Sequence, residues 1–336
     1  MLLYETCFVY LHGAGFYNNL YKVMKRIILF YCLVAIWSGG CKQKVPTPII
    51  PPENLNFIVA SDMGRRGISQ QKNIANRMGR CAEQNKIDFV AVAGDPIHDD
   101  GVQSVSDEEW QLKFENIYTA QSLHNIPFYI ISGNHEYRGN VQAILDYSAI
   151  SERWNAPARY YSMEQIIDEN GQKALLVFID TTPLIDKYCR KDNYSDARKQ
   201  SMERQLYWID STLMASNDRW KIVIGHHPVY ADTKKEESER ADMQERVGKM
   251  LENHGVDFYI CGHIHNFQYI QPKGTTVNYI VNSSASKSRK VKPIEGTVFC
   301  NGDPGYSLFS VSADSIQFFF INHTGEAIYR HTIVKQ

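Results

Sequence analysis

Five short polar motifs, each rich in Gly, Asp, Asn or His, lie between residues 61 and 265 of the chain. They are Ser61-Asp62-Met63-Gly64, Gly94-Asp95-Pro96-Ile97-His98, Gly133-Asn134-His135-Glu136, Gly225-His226-His227-Pro228 and Gly262-His263-Ile264-His265. Four of the five directly follow an apolar run that favours a β-strand, so their polar groups are predicted at strand ends. Because α/β folds keep their active sites at such ends, the motifs predict a layered α/β fold with one shared polar site.

The pattern around the motifs alternates between strands and helices. Strands are predicted at 56–60, 88–93, 127–132, 174–179, 220–224, 256–260, 278–281, 306–311, 315–321 and 327–333, and helices at 70–85, 107–118, 199–216 and 239–253. The alternation favours α/β layers, and the consecutive strands after residue 276 favour an antiparallel finish. Nothing in the sequence after residue 53 indicates a domain boundary, so residues 54–336 are predicted to form a single domain.

The polar groups of the motifs are those that bind metal ions. Carboxylate, amide oxygen and imidazole are ligands of hard divalent and trivalent cations. This mixture is supplied by Asp62, Asp95, Asn134, His226, His263 and His265. Two neighbouring cations repel each other unless an anionic oxygen lies between them, and the central Asp95 is the candidate bridge. If residues 263–265 are extended, His263 and His265 point the same way, so both can face the site.

Each motif by itself also has an ordinary structural explanation. An Asp after a strand usually caps or forms a turn, a Gly-Asn-His run is typical of a turn, and a His-x-His pair in a strand is often not a ligand pair. The occurrence of all five motifs in one chain favours a metal site over these separate explanations. A pair of metal ions in such a site is typical of a hydrolase.

The N-terminal region resembles a bacterial lipoprotein signal. A basic start at Met24-Lys25-Arg26 precedes an apolar stretch from Ile27 to Trp37, which is too short for a comfortable membrane span. Ser38-Gly39-Gly40-Cys41 follows, so residues 24–41 are predicted to be a signal peptide with lipidation at Cys41. Residues 1–23 are interpreted as a mis-annotated upstream extension, and the proline-rich residues 42–53 as a tether. An uncleaved anchor or a buried helix is the alternative.

Charge and cysteine usage narrow the class of protein. The formal net charge is −1, so no overall basic field indicates a nucleic-acid partner. Cys81, Cys189, Cys261 and Cys300 show no zinc-binding spacing, and Cys81 and Cys261 are predicted to be buried thiols.

The motifs and their surroundings resemble the calcineurin-like metallophosphoesterases, and within them the small, mammalian-type (tartrate-resistant) purple acid phosphatases. The resemblance extends from about Phe57 to Ile333 and includes Arg153-Trp154-Asn155 and the run from Cys261 to Tyr269. It implies an α/β (α+β) four-layer sandwich, in which two mixed β-sheets pack face to face with helices outside.

The same resemblance implies roles for individual residues. One metal ion would be held by Asp62, Asp95, His98 and His265, and the second by Asp95, Asn134, His226 and His263. His135 would contact the phosphate and assist the leaving group, with Asp95 and His135 as the catalytic residues and Asn134 also binding substrate.

Two departures from the purple enzymes change these expectations. Purple members carry Tyr at the position of His98, so we expect a site that is not purple, with Fe plus Zn, Mn or Fe. A His98 that faces outward, leaving a first site with three ligands, is the alternative. The second substrate-side His is missing after Gly225-His226-His227-Pro228, and Lys235 or Lys234 would neutralise phosphate in its place.

The sequence therefore predicts a binuclear metallophosphoesterase that hydrolyses phosphate monoesters with a metal-activated hydroxide. The alternatives are a phosphodiesterase or nucleotide hydrolase on the same scaffold, and a tethered non-catalytic binding lipoprotein with a degenerate metal site. The expected partners are a small phosphorylated substrate and, through Cys41, a membrane. The expected form is a monomer in the bacterial cell envelope, lipid-anchored and either periplasmic or surface-exposed. The segments 99–110, 183–200 and 231–245 are expected to shape the pocket.

Overall fold

A computed structural model describes residues 46–335 of the chain, all of which belong to one compact unit. The predicted upstream extension, the signal peptide with Cys41 and the first residues of the predicted tether lie outside the described residues. Within residues 46–335, none of the helices combines the length and the apolar character that a membrane span requires.

The first sheet has seven strands and joins the N-terminal part of the domain to its C-terminal end. Its strands are β1 (Leu55–Ala60), β2 (Phe89–Ala93), β3 (Phe128–Ile131), β4 (Trp154–Asn155), β12 (Gly305–Val311), β13 (Ser315–Asn322) and β14 (Ala327–Val334), in the order β14-β13-β12-β1-β2-β3-β4. Strands β1 to β4 run parallel, whereas β12, β13 and β14 join through antiparallel pairs. The antiparallel finish predicted from the sequence is therefore confirmed.

The second sheet, also of seven strands, is built from the middle of the chain. Its strands are β5 (Tyr161–Ile166), β6 (Lys173–Phe178), β7 (Trp220–Ile224), β8 (Phe258–Cys261), β9 (Phe267–Ile270), β10 (Asn278–Val281) and β11 (Thr297–Asn301), in the order β11-β9-β10-β8-β7-β6-β5. Strands β6, β7, β8 and β10 run parallel, so their carboxyl ends share one edge. The sequence analysis missed β4, β5, β9 and β11.

The helices are short and connect the strands. The α-helices are α1 (Gln71–Gln84), α2 (Val141–Asp146), α3 (Asp186–Cys189), α4 (Met202–Ala215), α5 (Glu237–Met243) and α6 (Lys249–Asn253). Two π-helical turns span Gln111–Glu115 and Gln244–Gly248, and 3₁₀ turns span Gln121–Leu123, Glu136–Arg138, Tyr147–Ala149, Thr182–Leu184, Asp192–Tyr194 and Ala197–Lys199. The helix predicted at 107–118 is shorter than expected: the Asp107 carboxylate accepts the N–H of Glu109, and the segment continues as the π-helical turn Gln111–Glu115.

Three apolar clusters divide the domain into four layers. Between the sheets, the ring of Phe57 stacks on Phe89 and Phe309 at centroid distances of 4.9 and 5.0 Å. On the outside of the first sheet, α1 buries Ile74 and Met78. The outside of the second sheet is covered by α4, α5 and α6. The predicted fold class, a four-layer sandwich with helices outside, is therefore confirmed.

The end of the predicted tether lies against the domain. The Thr47 hydroxyl donates to the carbonyl of Gly325 at 3.1 Å, and the N–H of Ile50 donates to Asn85 Oδ1 at 2.9 Å. The Ile50 side chain is buried in the cluster beneath α1. Contacts with the domain thus begin before residue 54, the boundary that the sequence predicted.

The four cysteines of the described residues are all free thiols. Cys81 and Cys261 are buried, as predicted, whereas Cys189 and Cys300 are partly exposed.

Candidate metal centre

The five polar motifs meet at one edge of the sandwich. The turns after β1, β2 and β3 carry Asp62, Asp95 and Asn134, and those after β7 and β8 carry His226 and His263. These strands are parallel within each sheet, so each sheet presents the carboxyl ends of its strands at the same edge. Ligand-capable atoms of Asp62, Asp95 and His226, which come from both sheets, lie within 4.8 Å of one another.

The turns themselves have unusual backbone geometry. Asp62 and Asp95 have φ values of 51° and 50°, and His263 and His265 have φ values of 67° and 65°. Non-glycine residues seldom adopt this left-handed conformation, and they do so mostly at functional sites. The prediction that His263 and His265 share one face of an extended strand is therefore wrong. β8 ends at Cys261, and the tight turn after it brings both imidazoles to the site instead.

Asp95 lies at the centre of the cluster. Its Oδ2 atom is 3.2 Å from His226 Nε2, 3.6 Å from His98 Nε2 and 3.7 Å from His135 Nε2. Its Oδ1 atom accepts the backbone N–H of His135 at 2.9 Å. One carboxylate thus faces imidazoles from three motifs, which is the position that a bridging ligand requires. Its role as the bridge stays a prediction.

Asp62 and its neighbours form the first half of the site. Its Oδ1 atom lies 3.0 Å from His265 Nε2, and its Oδ2 atom accepts the backbone N–H of His263 at 3.0 Å. Ligand-capable atoms of Asp62, His98 and His265 lie within 4.8 Å of one another. His98 is buried, and neither of its ring nitrogens has a hydrogen-bond partner among the described residues. The alternative in which His98 faces outward does not match this geometry.

His226, His263 and Asn134 lie in the second half. His226 Nε2 is 3.2 Å from His263 Nδ1. Asn134 is buried, and its Oδ1 atom has no hydrogen-bond partner within the described part of the chain. The structure thus brings all seven predicted ligands to one edge, where the assignment of each to one metal ion remains a prediction.

Hydrogen bonds to the backbone fix which imidazole nitrogen faces the site. His226 Nδ1 lies 2.9 Å from the carbonyl oxygen of Ala93, and His265 Nδ1 lies 2.8 Å from that of Lys287. A carbonyl oxygen only accepts, so each Nδ1 carries the proton and each Nε2 is directed at a carboxylate. Metal-ligating histidines are commonly oriented in this way by a partner on the other nitrogen.

His263 is oriented through the opposite nitrogen by a residue that the sequence analysis missed. Its Nε2 atom lies 2.9 Å from Glu239 Oε2, which leaves Nδ1 facing His226. The other Glu239 oxygen accepts from Lys187 Nζ at 2.6 Å and from the Tyr188 hydroxyl at 3.0 Å. Glu239 lies in the segment 231–245, which the sequence analysis expected to shape the pocket, and it is buried within α5.

His227 is a second residue without a predicted role. Its Nδ1 atom is 2.7 Å from the Thr181 hydroxyl, and its Nε2 atom has no partner among residues 46–335. His226, His227 and His263 together place three ring nitrogens within 4.8 Å of one another. In the sequence, the only sign of a role for His227 was its position in the fourth motif, Gly225-His226-His227-Pro228.

Glycine is required where two motifs approach each other. A Cβ atom on Gly133 would lie 2.2 Å from Asp95 Oδ1, and one on Gly94 would lie 2.3 Å from His226 Nδ1. Both distances are far below van der Waals contact. Gly133 therefore allows the turn after β3 to approach Asp95, and Gly94 allows the turn after β7 to bring His226 next to it.

The electrostatics of the cluster favour bound positive charge. Burial by itself raises the pKa of Asp95, but His226 and His135 hold it well below its usual range. Burial likewise opposes ionisation of Asp62, and its pKa is nonetheless lowered, chiefly by His265. Both buried carboxylates are thus anionic. Buried anions are costly unless they are paired or coordinate a metal ion.

The donor set of this site fits metal ions. His265 Nε2 lies 3.0 Å from Asp62 Oδ1, so an imidazole nitrogen and a carboxylate oxygen, both of which are metal-ligand types, lie side by side. Buried oxygen and nitrogen atoms of Asp62, Asn134 and His98 also lack hydrogen-bond partners in the described part of the chain. These atoms are the ligand types that iron, zinc and manganese accept in proteins.

Lys235 also reaches the cluster. Its Nζ atom lies 3.1 Å from His263 Nδ1. Burial, followed by the nearby Arg289, lowers the pKa of Lys235 to about 8. The predicted phosphate-neutralising lysine is thus adjacent to the candidate ligands, while Lys234 is exposed on the rim.

Removing the charge of Glu239 is expected to weaken metal binding. Partners of metal-ligating histidines typically contribute about 10- to 100-fold to metal affinity, and Glu239→Gln keeps the shape while losing the charge, so we expect a loss of about tenfold. Titration of metal-free protein with Mn²⁺ measures the change. Glu237→Gln, on the exposed side of α5, is the matched control. Equal affinity in the two variants would show that Glu239 does not support His263.

Comparisons with known proteins agree with this geometry. The model of the family "Calcineurin-like phosphoesterase" matches residues 55–267. The chain is 30% identical over 299 residues to purple acid phosphatase 4 of Arabidopsis thaliana, covering 83% of this chain and 84% of that protein. It is 29% identical over 274 residues to tartrate-resistant acid phosphatase type 5 of Oryctolagus cuniculus. This match covers 77% of this chain and 78% of that protein. Among solved structures, it is similar to GAP50, described as the anchor in the inner membrane complex of Plasmodium. The TM-score is 0.73 and the sequence identity is 22%. The match covers 84% of this chain and 89% of that chain.

Proposed function

Because the chain belongs to the calcineurin-like phosphoesterase family, we propose that it is a binuclear metal-dependent phosphatase that hydrolyses phosphate monoesters. One observation carries the proposal: two buried carboxylates, Asp62 and Asp95, face imidazoles from both sheets at one edge. The similarity to purple acid phosphatases supports the choice of a monoester as substrate.

The chain would hold two metal ions at this edge. One would be held by Asp62, Asp95, His98 and His265, and the second by Asp95, Asn134, His226 and His263. Bound metal ions lower the pKa of a water molecule and polarise a phosphoryl oxygen. The fixed orientation of the imidazoles means that little reorganisation is needed when the ligands bind.

His135 is placed to act on the leaving group. Its Nδ1 atom contacts the carbonyl oxygen of Asp99, and its Nε2 atom faces the cluster beside Asp95. The side chain is partly exposed, so it lies between the buried carboxylates and solvent, where a substrate enters. There a protonated Nε2 would donate to the leaving oxygen. Burial lowers the pKa of His135, so this donation is favoured at acid pH. Lys235 would neutralise charge on the phosphoryl group.

Replacement of His135 tests this mechanism. Loss of a positioned proton donor typically costs about 10²- to 10⁴-fold in rate, so His135→Ala is expected to lower kcat on p-nitrophenyl phosphate within that range. The metal content, measured by elemental analysis, should stay at the level of the unmodified protein. His124→Ala, an exposed histidine elsewhere, is the control. An unchanged kcat would remove His135 from the mechanism.

A substrate panel separates the alternatives. Faster hydrolysis of p-nitrophenyl phosphate than of bis-p-nitrophenyl phosphate supports the monoesterase, and the reverse order would indicate a phosphodiesterase. Metal-loaded protein that hydrolyses neither compound would indicate a binding protein.

The location and partners form a separate proposal. We propose that the protein acts as a monomer, without a nucleic-acid partner, and that Cys41 carries a lipid that holds it in the bacterial cell envelope. The support is the apolar stretch from Ile27 to Trp37, followed by small residues and Cys41.

A further inference from the structure

A cavity of about 810 Å³ lies beside the second half of the candidate metal centre. Its lining comes from the segments 232–235 and 289–292 and from the turn after β8. The lining residues are Asp232, Thr233, Lys234, Lys235, Ile264, Asn266, Arg289, Lys290, Val291 and Lys292. We call this space the basic cavity. Its volume is within the range of small-molecule sites, which is about 300–1,000 Å³.

The basic cavity adjoins the metal centre. Ile264 in its wall is the residue between His263 and His265. Lys235 lies 3.1 Å from His263 Nδ1, and the backbone N–H of Arg289 donates to the carbonyl of His265 at 2.8 Å. A molecule whose phosphate group sits at the metal centre would therefore extend the rest of its structure into this cavity.

The cavity carries an excess of positive charge. The lining contains one carboxylate, that of Asp232, and five cationic side chains. The cations are Lys234, Lys235, Arg289, Lys290 and Lys292. That carboxylate already accepts the backbone N–H of Lys292 at 2.7 Å. None of the five cations takes part in an ion pair within residues 46–335, and four of them are exposed. Apart from the contacts of Lys235 with His263 Nδ1 and of Arg289 with the carbonyl oxygen of His263, these cations are available to bind anionic groups of a ligand.

The backbone beneath these side chains is held in place. Gln268 accepts the N–H of Asp232 at 2.8 Å and donates to Asn266 Oδ1 at 2.7 Å. The Asn266 amide in turn contacts the carbonyl of Lys290 at 3.4 Å. The segment 231–235 and the segment 289–292 are therefore connected through buried side chains of β9 and the turn before it. A fixed backbone lowers the entropy that the cations lose on binding.

We propose that the basic cavity binds a second phosphate group of the substrate, so that the enzyme prefers small molecules with two phosphates to those with one. The proposal rests on the proposed phosphatase function. The scissile phosphate occupies the metal centre, the carbon skeleton lies against Val291, and the second phosphate lies among Arg289, Lys290 and Lys292.

The test compares two substrates that differ by one phosphate. Release of inorganic phosphate is measured from fructose 1,6-bisphosphate and from fructose 6-phosphate with the metal-loaded protein, as the ratio of their kcat/KM values. The variants are Lys290→Ala/Lys292→Ala and, as a matched control, Lys249→Ala/Lys273→Ala, which removes two exposed lysines outside the cavity. Each assay is repeated at low and at about 1 M ionic strength.

We expect the unmodified protein to favour the bisphosphate by about tenfold at low ionic strength, since exposed ion pairs are individually weak. In Lys290→Ala/Lys292→Ala, the ratio should fall to a value between about one and two. It should fall likewise in the unmodified protein at high salt, which screens exposed charges. In the control variant at low salt, the ratio should stay unchanged. Equal hydrolysis of both compounds by the unmodified protein, or an unchanged ratio in Lys290→Ala/Lys292→Ala, would overturn this inference alone. Hydrolysis of neither compound, nor of p-nitrophenyl phosphate, would overturn the phosphatase function and the inference with it.

Discussion

Replacing Asp95 with alanine is expected to abolish both metal loading and phosphatase activity. Among the carboxylates of residues 46–335, Asp95 is the one that faces His98, His135 and His226 together, so its loss leaves these imidazoles without a shared anion. Metal ions contribute several kcal/mol to such reactions, and about 1.4 kcal/mol corresponds to tenfold in rate. We therefore expect kcat to fall by at least about 10³-fold.

Two further variants make this experiment decisive. Asp95→Asn keeps the acceptor for the His135 N–H but removes the charge, so it tests the anion without a large structural change. Asp192→Ala removes an exposed carboxylate elsewhere and should behave like the unmodified protein. Elemental analysis, phosphate release and circular dichroism are measured on each. If Asp95→Ala folds and still binds both metal ions, the assignment of Asp95 as the bridge is wrong.

Removing the metal ions with a chelator is expected to lower the melting temperature by about 10 °C. A ligand at about 1,000 times its Kd stabilises the folded state by about 4 kcal/mol, and in a domain of this size about 1 kcal/mol shifts Tm by 2–4 °C. The physical reason is that Asp62 and Asp95 are fully buried, and the metal ions would compensate their charges.

Calorimetry of metal-loaded and chelated protein measures this difference, and the same comparison on Asp95→Ala provides the control. We expect the variant to melt at the same temperature with and without chelator. An equal decrease in both proteins would mean that the chelator acts elsewhere, and no decrease in either would mean that the site adds no stability.

The positions of the ligands were predictable because they follow buried strands. β1, β2 and β7 are short apolar runs, and the polar residue after each run is the point at which the chain leaves the sheet. Seven predicted ligands from five motifs therefore meet at one edge, as the sequence indicated. Local patterns and the rule that parallel strands end together predicted six of the seven, and the family resemblance added His98.

Other features depend on contacts that a local pattern does not contain. Glu239 is buried because α5 turns one face of a highly charged segment towards His263. The turn that carries His263 and His265 depends on Gly262, where a Cβ atom would lie 2.7 Å from Asp62 Oδ2, in a different motif. The edge strand β5 alternates between exposed and half-exposed residues, so it lacked the apolar signal of the other strands.

The long-range bond from the His263 N–H to Asp62 joins residues 201 positions apart, and it has a consequence for biosynthesis. Asp62 and Asp95 leave the ribosome well before His226, His263 and His265 exist, and the first sheet is completed only when β12 adds to β1. No partial chain that ends before β8 contains both halves of the ligand set. The predicted ligand set is therefore complete only after His265 has been synthesised, so a metal centre that uses all seven residues would form late in folding.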